Sequence, residues 1–217
     1  RCHLNGMALV DEAVKYVTCL GISDQPAGWR ENKASGGCIL EVPSGEIVAG
    51  NLSMPHSPRV YGGALWVLES GQGALLQIDP KTGESREVAR LPGFTRGMDF
   101  FGPYAFIGLS QVRESAIFSG LPLTERLPEA ERACGICVVD LRNGKTVAFL
   151  RFESGVQEIF AIQILPEIRH PDVITDEDDI LGSSFVLPED SLREVPAELL
   201  GPSFADEHVN GFAKEAE

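Results

Sequence analysis

The sequence predicts an all-β protein, a β-propeller of four-stranded antiparallel blades. Three observations lead there. An apolar strand, an acidic residue, three turn-type positions and a glycine recur together. They appear at Cys38-Ile39-Leu40-Glu41 to Gly45, Leu75-Leu76-Gln77-Ile78-Asp79 to Gly83, and Ile136-Cys137-Val138-Val139-Asp140 to Gly144. A second series moves in step with the first, opening apolar strands at Asn5-Gly6-Met7, Ser57-Pro58-Arg59-Val60, Arg96-Gly97-Met98 and Glu158-Ile159-Phe160. The third observation is composition: 23 Gly, 14 Pro and 23% charged residues favour many turns over long helices. Four strands in a repeat of about 40 residues is the period of a propeller blade. The competing arrangement is an irregular antiparallel sandwich, which does not require two series in step.

The blades follow in order, at about 3–50, 52–91 and 94–151, with the start of another at Val156. Each opens on an inner strand, and the next strands are Tyr16 to Leu20, Leu65 to Leu68 and Tyr104 to Leu109. In the acidic turns, Asp or Pro opens the hairpin and Gly takes the positive φ that closes it. A ring needs four or more blades, so the expected protein is longer, with N-terminal blades missing from this chain. Residues 1–171 form the partial propeller, and 172–217 are expected to be an acidic, loosely ordered tail.

Strands alternate in direction, so the loop entering the first strand shares a face with the loop joining the second to the third. His3, Asn5, His56, Ser57, Arg59, Thr95, Arg96 and Glu158 therefore share one mouth with Asp24, Trp29, Arg30, Ser70, Ser110, Arg113 and Glu114. The other face receives only the hairpins that end in Gly45, Gly83 and Gly144. Polar chemistry gathers on one rim, where loop-borne sites are usual.

Charge narrows the partners. A net charge of −14 with a pI near 4.7 excludes binding to a phosphate backbone, which needs clustered Lys and Arg. No run approaches the length of a membrane-spanning helix. Five cysteines without a disulfide spacing fit a reducing compartment, and a cytoplasmic location is expected. Cys134-Gly135-Ile136-Cys137 enters a strand without a second pair and reads as small buried hydrophobes. Gly71-Gln72-Gly73 precedes no helix, so it is not a phosphate loop. The acids Asp176 to Asp179 lack calcium-loop spacing.

The candidate chemistry centres on His56, with Ser57 and Arg59 beside it. Arg59 and Arg96 offer planar forks for an anion, while His56 or Glu158 offers a general base. His3, Asn5, Ser57, Arg30 and Arg113 line the same expected ligand site, and Trp29 is a possible stacking surface for a sugar or aromatic ring. His3, Asn5, His56 and Glu158 are also donors that can meet on a divalent cation at a channel mouth. The expected partner is a small-molecule, glycan-like or peptide-like polar ligand. Alternatives are a hydrolase or lyase at the same mouth, and a protein-interaction platform built on loop 111–133.

The chain also resembles a bacterial family of uncharacterised proteins, known only as a domain of unknown function. The resemblance runs from Arg1 to about Pro171. It is carried by Arg1-Cys2-His3-Leu4-Asn5-Gly6, Ser53-Met54-Pro55-His56-Ser57-Pro58-Arg59, Gly28-Trp29-Arg30, Pro92-Gly93-Phe94-Thr95-Arg96-Gly97 and Gly120-Leu121-Pro122-Leu123. It implies further strands upstream of Arg1 and no established activity. Cys137 stands where the family is expected to carry an aromatic residue, and the acidic tail has no counterpart in the resemblance.

Overall fold

The computed structural model describes residues 2–112 and 118–168. Arg113 and the acidic segment expected over 172–217 lie outside these residues. The chain divides into two units, and the first, Arg1–Pro166, contains every regular element among the described residues. Of the second, Glu167–Glu217, only Glu167 and Ile168 are described.

Twelve strands form three four-stranded antiparallel sheets, each a meander in which consecutive strands pair. The first contains β1 (Leu4–Val10), β2 (Ala13–Cys19), β3 (Gly37–Glu41) and β4 (Ile47–Leu52). The second contains β5 (Pro55–Tyr61), β6 (Ala64–Glu69), β7 (Ala74–Ile78) and β8 (Ser85–Arg90). The third contains β9 (Phe94–Phe101), β10 (Tyr104–Ser110), β11 (Gly135–Asp140) and β12 (Lys145–Arg151). These are propeller blades, and the fold is all-β and multi-bladed.

The middle blade is buried on both faces, which explains why its strands read as continuous apolar runs. Leu65, Val67, Leu76 and Ile78 pack toward the first blade with Ile39, Ala49 and Leu52. Trp66, Leu68 and Leu75 alternate with them and pack toward the third blade with Met98, Ile107 and Val139. Trp66 is thus core between blades, as its apolar strand suggested, and its Nε1 donates to Tyr61 O at 3.1 Å.

The hairpins repeat atom for atom. The amides of Gly45, Gly83 and Gly144 each donate to the backbone oxygen of the acid four residues earlier, at 2.8 Å every time. Their φ angles are 76°, 75° and 71°. Two of these glycines also touch the preceding blade. A Cβ would lie 2.6 Å from Val48 O at Gly83 and 2.0 Å from Val88 O at Gly144. A larger residue would push the blades apart.

Each inner strand carries a register shift near its start, between Leu4 and Gly6, between His56 and Arg59, and opposite Ile107 and Leu109 in β9. Such bulges bend a strand and re-aim its side chains. Ser57 and Gly97 sit at two of them with φ of 51° and 76°. After β12 the chain crosses to the inner edge of the third blade. There Ser110 Oγ accepts Ile159 N–H at 2.9 Å and Asp99 Oδ2 accepts Ile164 N–H at 2.6 Å. Residues 156–164 form no strand among the described residues, although they occupy the place where the next inner strand was expected to begin.

Gly97 is tight against that segment, since a Cβ there would stand 2.7 Å from the Ala161 Cα. Gly97→Ala combines a left-handed backbone with a collision against main chain. The expected loss is about 2 kcal/mol of unfolding free energy in urea titration. A loss under roughly 0.5 kcal/mol would show that the segment yields freely.

The loops on the other end close over a third apolar cluster. Leu20, Trp29, Met54, Phe94, Val112, Leu121 and Leu123 meet there, drawn from all three blades. The short helix α1 (Pro122–Arg126) and a single 3₁₀ turn at Glu129–Glu131 lie within this layer. Among the described residues, no helix is long and apolar enough to cross a membrane.

Candidate functional site

His56 lies on β5, and its side chain is only 5% exposed. Its Nδ1 is 2.9 Å from Met54 O and 2.8 Å from Ser70 Oγ. Met54 O can only accept, so Nδ1 must carry the proton. Ser70 Oγ spends its own proton on Thr95 O, at 2.5 Å, and so accepts from the ring. The tautomer is therefore fixed by its neighbours, and Nε2 is left with a lone pair. No protein group bonds Nε2, and among the described residues the buried side-chain atom without a partner is Thr95 Oγ1 instead. Nε2 thus keeps contact with solvent.

Burial pushes the His56 pKa down to about 4. The hydrogen bond to Met54 O opposes this, and the nearby charges of Arg96 and His3 reinforce it. The ring is neutral at pH 7 and is packed edge-on to Phe94, with centroids 5.6 Å apart. It is a positioned hydrogen-bond acceptor and a weak base. Ser70 is not a nucleophile beside it, because the serine proton already points at a carbonyl.

Arg96 on β9 is half-buried, and its guanidinium has no hydrogen-bond partner among the described residues. Its guanidinium lies over the Phe160 ring, 4.3 Å from the centroid. Burial lowers its pKa, and Glu158 partly offsets the effect without forming an ion pair among the described residues. Arg59 is tied more firmly, with Nη1 donating to Pro58 O at 2.9 Å and Met7 O at 3.3 Å. Its Nε and Nη2 remain free of protein partners. Glu158 is exposed.

Other expected site residues turn out to be occupied. Asn5 donates from Nδ2 to Pro55 O at 2.9 Å and accepts from Thr18 Oγ1 at 2.6 Å, joining the first blade to the second. Ser57 Oγ accepts Gly97 N–H at 3.0 Å and joins the second to the third. Trp29 is 7% exposed and belongs to the loop core. His3 lies 5.3 Å from its ring and Arg30 lies 5.6 Å from it, so the ring pins its own loop and offers little stacking surface. Among the described residues no group of three or more His, Cys, Asp or Glu side chains is placed to hold a metal ion.

His56 and Arg59 lie on β5 and Arg96 on the neighbouring β9, and the charges of Arg96 and His3 reach the His56 ring. A family model for a Domain of unknown function (DUF4915) matches residues 1–174, most of the chain. The chain belongs to this family. The match covers all three blades of this DUF4915 chain and the mouth residues on them. Among solved structures, the crystal structure of the computationally designed Ika4 protein is similar at 13% identity and TM-score 0.44, covering 76% of this chain and 81% of that one. The dihydro-heme d1 dehydrogenase NirN in complex with DHE is similar at 16% identity and TM-score 0.41. That likeness covers 70% of the present chain and 28% of that one. No curated protein matches the chain.

Sequence reasoning placed Ser70 and Thr95 on the rim without giving them a task, and left Phe160 in a strand. Their roles are to lock the His56 ring and to carry the Arg96 guanidinium. The only signal in the sequence was position: each stands at the mouth end of a strand, beside a candidate. A surface hollow of about 810 Å³ lies at the hairpin end and is lined by Gly63, Gln77, Asp79 and Arg86. Arg86 already donates to Gln77 there, at 2.6 Å, so the hollow adds no competing site.

Proposed function

We propose that this mouth binds a small organic anion that also carries a hydroxyl or amine donor. The observation behind the reading is Arg96, a half-buried guanidinium without a hydrogen-bond acceptor. Desolvating a cation without pairing it is costly, and a carboxylate or phosphate would complete its fork. Arg59, three residues along β5 from His56, adds a second positive charge. His56, neutral and held with Nε2 outward, suits the ligand's donor.

Binding is measured by calorimetry with matched pairs of hydroxy and deoxy carboxylates. Arg96→Ala is expected to weaken binding by about ten- to hundred-fold, the scale of a charge-assisted pair. His56→Gln is expected to reduce the preference for the hydroxylated member. Equal binding by wild type and Arg96→Ala would overturn the reading. The hydrolase or lyase alternative asks His56 to accept a proton, and a pKa of about 4 makes it a poor acceptor near neutrality.

A further inference from the structure

The first blade has one face on the second blade and another that carries three of the five cysteines. Cys19 on β2 and Cys38 on β3 are directly opposite in the register, and both are 1% exposed. Cys2 is half-buried. All three line one hollow of about 620 Å³ with Ile22, Leu40 and Ile47. Every thiol is free. The sulfurs are not arranged as a metal-ligand set, which leaves thiol exchange as the chemistry they fit.

We propose that Cys2, Cys19 and Cys38 form an exchange relay that closes a reversible Cys19–Cys38 disulfide when a low-molecular-weight disulfide is present. Cys2, the most accessible of the three, attacks the small disulfide, forms a mixed disulfide and releases one small thiol. Cys38 attacks the Cys2 sulfur and releases the second small thiol. Cys19 then attacks the Cys38 sulfur and returns Cys2 to its thiol form. Two protein thiols are oxidised, the small disulfide is reduced to two thiols, and the two protons of Cys19 and Cys38 end on them.

The order agrees with the local environment. The interaction with Cys19 lowers the Cys38 pKa and raises that of Cys19. The attacking thiol is thereby prepared by its neighbour. Directly opposed strand residues hold their Cβ atoms about 4.5–5.5 Å apart, slightly beyond the roughly 3.5–4.5 Å of a relaxed disulfide. A bond closed across that gap is easily reduced, as a switch requires.

The test treats the full chain with glutathione disulfide, quenches in acid, alkylates the remaining thiols and maps peptides by mass spectrometry. A linked Cys19–Cys38 peptide, with Cys134 and Cys137 still alkylated, supports the relay and shows that the fold stayed intact. Cys2→Ser should give the same product about ten-fold more slowly. Cys19→Ser should stop at a Cys2–Cys38 bond. Glutathione retained on Cys2 without an internal bond, no thiol consumed, or an unchanged rate in Cys2→Ser would each overturn the proposal.

Discussion

The protein is expected to lose about 2 to 3 kcal/mol of stability between about pH 7 and pH 4.5, and His56→Gln is expected to remove most of that loss. The His56 pKa is depressed, from an ordinary 6.5 to about 4. The unfolded chain therefore binds a proton that the folded chain refuses throughout this window. Stability is complete above the unfolded pKa and falls as the pH drops through 6.5 toward 4. Glu69 works in the opposite sense, because burial raises its pKa. The comparison with His56→Gln isolates the histidine, since glutamine can still donate to Met54 O but does not titrate. Asp140, held down to about 2 by Arg142, titrates below the window. Chemical denaturation at several pH values reads the effect, and parallel pH profiles for the two proteins would sink it.

The second large effect is expected at Arg132. Its side chain is 1% exposed and ends in a cage of main-chain oxygens: Leu127 O at 2.9 Å, Val112 O at 2.9 Å and Thr124 O at 3.3 Å. These bonds fold the long third-blade loop onto the cluster that holds Leu121 and Leu123, both 0% exposed. Arg132→Met keeps much of the volume but orphans three acceptors, and is expected to cost about 3 to 5 kcal/mol. Arg132→Lys should recover little, because an ammonium cannot reach three divergent carbonyls as a planar fork does. Thermal and guanidinium unfolding measure both variants. A methionine variant within about 1 kcal/mol of wild type would show that the cage contributes little.

The contrast between these residues shows how much could be read in advance. The blade pattern was legible because burial on two faces and a glycine-closed hairpin each leave a local signature, as at Leu65 to Leu68 and Asp79 to Gly83. Strand alternation puts His56 and Arg96 toward the starts of β5 and β9, while Arg59 pairs with Trp66, two residues from the Tyr61–Ala64 hairpin. Who bonds whom was not legible. Asn5 and Trp29 looked available and are spent on joining and pinning loops, because hydrogen-bond partners such as Pro55 O come from another blade. Arg132 follows Glu129 and Glu131 in the long loop before β11. The residues form only the short 3₁₀ turn at Glu129–Glu131, and the arginine points inward. Nothing in its neighbours signals a buried cation.

The meander has a consequence for how the molecule comes into being. Within each blade, every strand after the first pairs with the one just made, through turns as short as that between Val10 and Ala13. Contacts of this kind close quickly and demand little loop entropy. During synthesis, β1–β4 can pair before β5 leaves the ribosome. The glycine hairpin of each later blade then docks on an outer strand already in place: Gly83 against Val48, and Gly144 against Val88. Assembly proceeds by nearest neighbours, so damage at one joint delays the next blade and spares those already finished.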